Sequence, residues 1–294
     1  MYQDDRGGQA VLTAVERELL QGFGAEHRLW PAATEPVVLA RGSENTTFAL
    51  GDLIVRIGSD GDAVAREAAV LDGLARATRV RVPVPLVHDA RRAILVYRKL
   101  TGVPLLRSAR PAQAGAAEVL ADLLAALRAL PQSASLPLDV YPHASWLDEA
   151  RQHHLAVRDH LAAHQRAVIE RFLNEHPPSD RDAVVPQHND LGAEHILVDE
   201  GGAVVGVIDW TDAARADPAR DLGLLFRDLG EAVAFRVAEL LDGPPSADVR
   251  ARIRFLARCK WLEDASYALL APGGREAYVA NIGRTFEGTF RGLA

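Results

Sequence analysis

Residues 187–221 read QHNDLGAEHILVDEGGAVVGVIDWTDAARADPARD, and this stretch decides how the rest of the chain is interpreted. Two short apolar runs, 196–198 and 204–208, flank a turn with the sequence Glu-Gly-Gly. Apolar runs separated by such a turn are typical of a β-hairpin. The hairpin brings His195, just before its first strand, close to Asp209, just after its second. Asp190 lies on the loop that leads into the hairpin.

Asp190, His195 and Asp209 form a set of side chains that is typical of phosphoryl transfer. In that chemistry one carboxylate accepts the proton of the attacking hydroxyl, and two further ligands hold a divalent ion against the nucleotide phosphates. We therefore predict that Asp190 is the catalytic residue and that His195 and Asp209 are metal ligands. Each residue alone has an ordinary structural explanation, such as a helix N-cap for Asp190. The ordered set is the specific signal.

This stretch resembles the aminoglycoside phosphotransferase family, whose fold is like that of the protein kinases. The family pattern is H-G-D-L/F, then Asn or His, then a strand and I-D-W/F, and finally D-P-x-x-D. In this chain Asn189 replaces the commoner glycine, and His195 replaces the commoner asparagine. The matching residues are His188, Asn189, Asp190, Leu191, His195, Ile208, Asp209, Trp210, Asp217, Pro218 and Asp221.

The resemblance, which spans about residues 37–230, implies a bilobal α+β fold with a small antiparallel sheet followed by a mostly helical lobe. We expect a nucleotide-binding lobe at 1–97, a hinge at 98–102 and a helical lobe at 103–294 that carries the catalytic loop and substrate site. Asp221 is expected to brace the catalytic loop. Apolar periodicity predicts strands at 37–40, 46–50, 54–57 and 93–97, and helices at 9–22, 63–76, 113–130, 146–173 (one or two), 231–242, 247–270 and 275–290.

The resemblance also implies how a nucleotide, ATP or GTP, is held together with Mg²⁺ or Mn²⁺. A polar turn at 41–45 takes the place of a phosphate-covering loop. Arg56 stands in an apolar strand where kinases carry a lysine, and arginine binds phosphate bidentately. Glu67, on the following helix, is expected to orient Arg56, and backbone groups of the hinge are expected to meet the base. The expected nucleotide contacts are Ser43, Asn45, Arg56, Glu67, Arg98 and Leu100.

Composition narrows the class of protein. The 294 residues are long enough for two lobes, 48% are hydrophobic, and the formal net charge is −7. An acidic chain lacks the clustered basic surface of nucleic-acid binding proteins, and no apolar stretch is long enough for a membrane span. The single Cys259 excludes an internal disulfide, and the first residues do not resemble a signal peptide. We expect a cytoplasmic monomer or weak dimer.

The expected activity is phosphorylation of a hydroxyl group on a small molecule, most simply an aminoglycoside antibiotic. A polycationic aminoglycoside needs an acidic pocket, whereas a large apolar macrolide needs exposed aromatic side chains. A macrolide kinase, a homoserine- or choline-type metabolite kinase and a non-catalytic nucleotide-binding pseudokinase are the alternatives. The candidate acidic residues are Asp148, Glu149, Asp159, Glu263 and Asp264, and the candidate aromatic residues are Trp146, Trp261 and Tyr267.

Overall fold

The computed structural model describes residues 12–42, 45–109, 111–180, 183–270 and 274–293. Ser43, one of the expected nucleotide contacts, lies outside the described residues. The first helix, α1, runs from Ala14 to His27 and is capped by the side chain of Thr13. It therefore begins and ends about five residues later than the periodicity predicts.

The N-lobe is built on a five-stranded antiparallel sheet with the order β1-β2-β3-β5-β4. Strand β4 was not predicted, because its first residue, Pro85, reads as a breaker. Proline is tolerated at the first position of an edge strand, where its missing N–H interrupts no ladder, and β4 is such a strand. The strands are Val37–Arg41 (β1), Asn45–Leu50 (β2), Leu53–Gly58 (β3), Pro85–Asp89 (β4) and Ile94–Arg98 (β5).

Alternation along β3 decides where its side chains point. Val55 packs in a core cluster with Leu20 and Phe23 of α1, whereas Ile54 packs in a second cluster with residues of α2, Gly61–Ala77. Successive side chains of a strand point to opposite faces of the sheet. Arg56 therefore shares the face of Ile54 and points toward α2.

The chain leaves the N-lobe after β5 and enters a second group of strands. Val103–Pro104 (β6) pairs with Ile196–Val198 (β8), which pairs with Val204–Val207 (β9). Strands β8 and β9 are antiparallel neighbours, so the predicted hairpin is confirmed. Val185–Gln187 (β7) pairs with Ala214–Ala216 (β10), and these two strands flank the catalytic stretch.

The C-lobe is mostly helical. The segment 146–173 forms two helices, α4 and α5, separated by a short 3₁₀ turn. Trp210 and Trp261 are almost fully buried in its core. In the described part of the chain no helix is long and apolar enough to cross a membrane. The helices are Ala116–Ala129 (α3), His143–Val157 (α4), Ala163–Leu173 (α5), Ala219–Leu229 (α6), Glu231–Asp242 (α7), Ala247–Leu270 (α8) and Glu276–Thr289 (α9).

Candidate active site

The loop between β7 and β8 is fixed by a buried carboxylate. Asp221, in the first turn of α6, accepts hydrogen bonds of 2.8 Å from the backbone N–H groups of His188 and Asn189. Asn189 has φ 72°, in the left-handed region that glycine adopts without strain and asparagine more readily than most residues. This backbone conformation explains why glycine is the commoner residue at this position of the pattern.

His188 is fully buried, and its neutral imidazole holds the loop through two hydrogen bonds. Its Nε2 atom donates to the carbonyl oxygen of Ile208 at 3.0 Å, and its Nδ1 atom accepts from the backbone N–H of Asp190 at 3.3 Å. Burial, with a further contribution from His195, lowers the pKa of His188 to about 4. One donor and one acceptor nitrogen are the two functions of a neutral imidazole.

Asp190, His195 and Asp209 come together as the hairpin predicts. The Nδ1 atom of His195 lies 2.8 Å from the carbonyl oxygen of Asp190, which can only accept, so Nδ1 carries the hydrogen. The Nε2 atom then faces Asp209, with 3.8 Å to Oδ2. The Asp190 side chain is 31% exposed, so a substrate can reach its carboxylate.

His195 and Asp209 have the geometry of two ligands of one divalent ion. Ligand atoms about 2.1 Å from an ion lie at most about 4.2 Å apart, and the 3.8 Å separation falls within that limit. Burial alone would raise the pKa of Asp209, but Arg56 and His195 lower it below its usual range, so the carboxylate is ionised. Burial likewise opposes the shift at His195, yet the carboxylates of Asp190, Asp209 and Glu194 raise its pKa.

A second set of possible ligands surrounds His195. Ligand atoms of Asp190, Glu194 and His195 lie within 4.8 Å of one another. Glu194, however, lies 3.5 Å from the guanidinium of Arg227, which has almost no exposed surface. Since that cation already engages Glu194, the pair His195 and Asp209 is the better candidate for a metal site.

Arg56 and Glu67 form a buried ion pair between β3 and α2. Their atoms Nη1 and Oε1 are 2.5 Å apart, and the side chains are 7% and 5% exposed. Arg56 also donates to Asn45 Oδ1 at 3.3 Å and lies 3.8 Å from Asp209 Oδ1. Burial acts to lower the pKa of Arg56, but Glu67 and Asp209 outweigh it and raise the pKa.

Thr211 completes this network, and the sequence analysis missed it. Its hydroxyl accepts a hydrogen bond from Arg56 and donates one of 2.8 Å to Asp209 Oδ1. The only signal in the sequence is its position, two residues after Asp209 and directly after the strongly patterned Ile-Asp-Trp. Its partner Arg56 is 155 positions away in sequence.

The two hinge residues lie beside this network rather than in it. Arg98 ends β5 and pairs with Leu53, which lies at the opposite end of β3 from Gly58. The side chain of Arg98 makes an exposed ion pair with Asp52. The side chain of Leu100 packs close to Gly206 of β9. A Cβ atom placed on Gly206 would lie 3.4 Å from the Cδ1 atom of Leu100.

Most of the side chains suggested for substrate selection are either buried or in contact with a neighbouring side chain. Trp146 and Trp261 are 8% and 1% exposed, so the apolar surface that a macrolide would need from them is absent, whereas Tyr267 is 40% exposed. Each of the five suggested carboxylates has a partner within 4 Å. These contacts are Asp148–Arg151, Glu149–Tyr141, Asp159–Arg158, Glu263–Lys260 and Asp264–Arg227.

The family model described as the phosphotransferase enzyme family matches residues 36–256. The chain belongs to this family. Membership confirms the resemblance drawn from residues 187–221 and the predicted class of enzyme. Over 55 residues the chain is also 46% identical to the uncharacterized protein YcbJ of Bacillus subtilis (strain 168). That match spans 19% of this chain and 18% of YcbJ, so it covers less than a fifth of that relative.

Solved phosphotransferases share the fold. The GDP complex of wild-type aminoglycoside 2'-phosphotransferase-IIIa has a TM-score of 0.60 at 21% identity, over 93% of this chain and 97% of that one. The apoenzyme of the macrolide 2'-phosphotransferase MphH from Brachybacterium faecium has a TM-score of 0.56 at 23% identity, over 90% and 98%. These likenesses confirm the predicted kinase-like α+β fold, with an antiparallel N-lobe and a helical C-lobe.

Proposed function

We propose that the protein transfers the γ-phosphoryl group of ATP or GTP to a hydroxyl group of a small molecule. The observation that carries this proposal is the arrangement of Asp190, His195 and Asp209 beside the buried pair of Arg56 and Glu67. Membership of the phosphotransferase family supports the reaction class, and the GDP complex of a structural neighbour supports a nucleotide donor.

Each side chain has a role that fits its surroundings. Asp190 is partly exposed, so its carboxylate accepts the proton of the acceptor hydroxyl or orients that hydroxyl. Arg56, held by Glu67 and Thr211, engages the phosphates. His195 and Asp209 would hold Mg²⁺ or Mn²⁺, which neutralises phosphate charge when bound.

The nucleotide base is proposed to lie at the hinge. Arg98 is the last residue of β5, and Leu100 lies in the segment between β5 and β6. Asn45 is hydrogen-bonded to Arg56 and therefore stands on the phosphate side, two positions after Ser43 in sequence. Backbone groups at a hinge read a base without requiring particular side chains, so a purine of either donor fits.

We propose an antibiotic as the acceptor, because structural neighbours are named for aminoglycoside and macrolide substrates. An aminoglycoside is the simplest expectation from the family resemblance. The exposed side chains Leu138, Val140 and Tyr141 favour an acceptor with an apolar face as a second candidate. They precede α4, and Val140 and Tyr141 line a cavity of about 250 Å³. The complete set of Asp190, His195 and Asp209 argues against a non-catalytic module.

The test is phosphoryl transfer from ATP and from GTP to a panel of aminoglycosides, macrolides and amino alcohols. Asp190→Asn should lower kcat by about 10²-fold or more while nucleotide binding is retained, since the change removes the proton acceptor at constant size. Asp122→Asn, on an exposed position of α3, is the matched control. If Asp190→Asn stays within a few-fold of the wild type, Asp190 is not part of the mechanism.

A further inference from the structure

Asn189 connects the catalytic loop to a segment outside it. Its side-chain Nδ2 atom donates a hydrogen bond of 3.0 Å to Oδ2 of Asp139, which is 50 positions earlier in the chain. Asn189 is 8% exposed, so the donor end of this bond is buried, whereas the side chain of Asp139 is partly exposed. Asp139 lies between the 3₁₀ turn Pro131–Ser135 and α4, a segment that borders the loop without belonging to it.

Asp139 is itself held firmly. Its Oδ2 atom is 2.6 Å from Nη1 of Arg220, and its Oδ1 atom accepts from the backbone N–H of Tyr141 at 3.3 Å. Its own backbone N–H donates to the carbonyl oxygen of Arg215 at 2.9 Å. Burial acts to raise the pKa of Asp139, but the hydrogen bond from Asn189 and the charge of Arg220 lower it. Asp139 therefore offers Asn189 an ionised acceptor that has other partners of its own.

The hydrogen bond between Asn189 and Asp139, called the tether from here on, acts at the residue that determines where Asp190 points. Asn189 directly precedes Asp190 and has φ 72°, a conformation that a non-glycine residue keeps only when its surroundings hold it. Asp221 fixes the N–H groups of His188 and Asn189, on the near side of this residue. On the far side, the bond from the Asp190 N–H to His188 is long, at 3.3 Å. The carbonyl oxygen of Asp190 accepts from His195 Nδ1 at 2.8 Å and from the Gly192 N–H at 2.9 Å, and the side chain of Asn189 adds a constraint at the residue between these two sets of bonds.

The same carboxylate forms part of a cavity wall. Asp139, Tyr141, Trp146 and Arg220 line the cavity of about 250 Å³ that lies next to the loop. A molecule that contacts Arg220 or Tyr141 there therefore contacts a residue that binds Asp139. This links the contents of the cavity to the conformation of the loop.

We propose that Asp139 is a positioning residue: through Asn189 it aims the carboxylate of Asp190, and it joins the wall of this cavity to the catalytic loop. This inference rests on the proposed role of Asp190 and extends it by assigning a residue that the family pattern does not contain. It also explains why this chain keeps asparagine where glycine is commoner, because glycine has no side chain to form the tether.

The experiment compares Asp139→Ala, Asn189→Asp and the exchange Asp139→Asn/Asn189→Asp with the wild type. Asn189→Asp keeps the size and tolerates a positive φ, but it sets a carboxylate against Asp139. The exchange variant again has one donor and one acceptor, with the amide now at position 139 and the carboxylate at position 189. Two quantities are measured: hydrogen–deuterium exchange of the peptide covering 187–192, and kcat and KM for ATP and GTP hydrolysis without acceptor.

We expect Asp139→Ala and Asn189→Asp each to lower kcat by about 10-fold, with nucleotide KM within about twofold, because misplacing Asp190 alters turnover and not donor binding. Amide exchange in 187–192 should be faster in both. The exchange variant should return kcat to within about threefold of the wild type, as a restored pairwise contact does.

An exchange variant no better than Asn189→Asp, or unchanged loop protection in Asp139→Ala, would overturn the proposal and leave Asp139 as a partner of Arg220 alone. If Asp139→Ala fails to fold, Asn189→Asp and the exchange variant still decide. If the wild type transfers no phosphate from either nucleotide, the proposed function fails, whereas the hydrogen exchange still tests the tether.

Discussion

The Nη1 atom of Arg56 lies 3.8 Å from the Oδ1 atom of Asp209. Arg56 is on the third strand of the N-lobe, and Asp209 directly follows the hairpin of the C-lobe. The hydroxyl of Thr211 bonds to both side chains. The cation expected to bind phosphate and the carboxylate expected to bind metal therefore belong to one charge cluster that joins the two lobes. Changing either side chain should affect both nucleotide use and the contact between the lobes.

Arg56→Ala should be damaging in two ways. It removes the phosphate-binding cation, and it leaves Glu67 as an uncompensated buried charge, which typically costs about 3–5 kcal/mol of stability. Arg56→Lys keeps a charge but not the bidentate geometry, so it should fold and show a nucleotide KM raised by about 10-fold. Glu67→Gln is the matched control, and it should give a milder loss of nucleotide use and of stability than Arg56→Ala. Nucleotide kinetics and thermal unfolding measure both effects, and unchanged kcat and KM in Arg56→Ala would remove Arg56 from the phosphate site.

Thr211→Val removes only the hydroxyl that joins Arg56 to Asp209. A hydrogen bond to a charged group contributes about 1.5–3 kcal/mol, so we expect the nucleotide KM or the metal requirement to rise about 10-fold or more. Thr211→Ser keeps the hydroxyl and should behave like the wild type. If valine and serine are equivalent in nucleotide and metal titrations, the hydroxyl has no role in holding the cluster.

Local pattern made the centre of the site predictable from sequence. Asp190, His195 and Asp209 lie within 20 positions, and a hairpin fixes their proximity because its strands must pair. The pair of Arg56 and Glu67 was also within reach, since alternation along a strand and helical spacing on α2 each determine a face. In both cases the geometry follows from periodicity over short distances.

Contacts between distant segments were beyond such reasoning. Asp139 and Asn189 are 50 positions apart, and nothing in either segment alone indicates that they meet. The same limit explains Trp146, which was considered as an exposed aromatic residue. Two cations from other helices help to cover its ring. The Cζ atom of Arg220 lies 5.0 Å from the ring centroid, and the Nζ atom of Lys260 lies 4.8 Å from it. The packing of distant segments decides which side chains meet a charged group or cover a ring. The pattern of a single sequence does not contain that information.

His195→Asn and His195→Ala should differ in their metal requirement. Asparagine offers a hard carbonyl oxygen that suits Mg²⁺, whereas imidazole is a borderline ligand that suits transition ions such as Mn²⁺ better. We expect His195→Asn to remain active with a lowered preference for Mn²⁺ over Mg²⁺, and His195→Ala to need about 10-fold more of either ion. Titrating both ions against the three proteins is the measurement. Equal requirements in all three would leave His195 as a brace that binds Asp190 through Nδ1 alone.

His188 should make the stability of the protein depend on pH. Its folded pKa of about 4 lies below the usual value of 6.5, so between these values the unfolded chain binds a proton that the native protein does not. The contribution of His188 to stability should therefore be complete above about pH 6.5 and be lost as the pH falls toward 4, by about 2 kcal/mol between pH 7.5 and pH 5. The cause is the burial of the ring, to which the charge of His195 adds, and a protonated Nδ1 could also no longer accept from the Asp190 N–H. His188→Gln retains an N–H donor for the carbonyl of Ile208 but does not titrate, so it should be less stable at pH 7.5 and lose less stability on acidification than the wild type. Urea unfolding of both proteins at the two pH values measures the difference, and identical losses would show that the loop tolerates a charged imidazole.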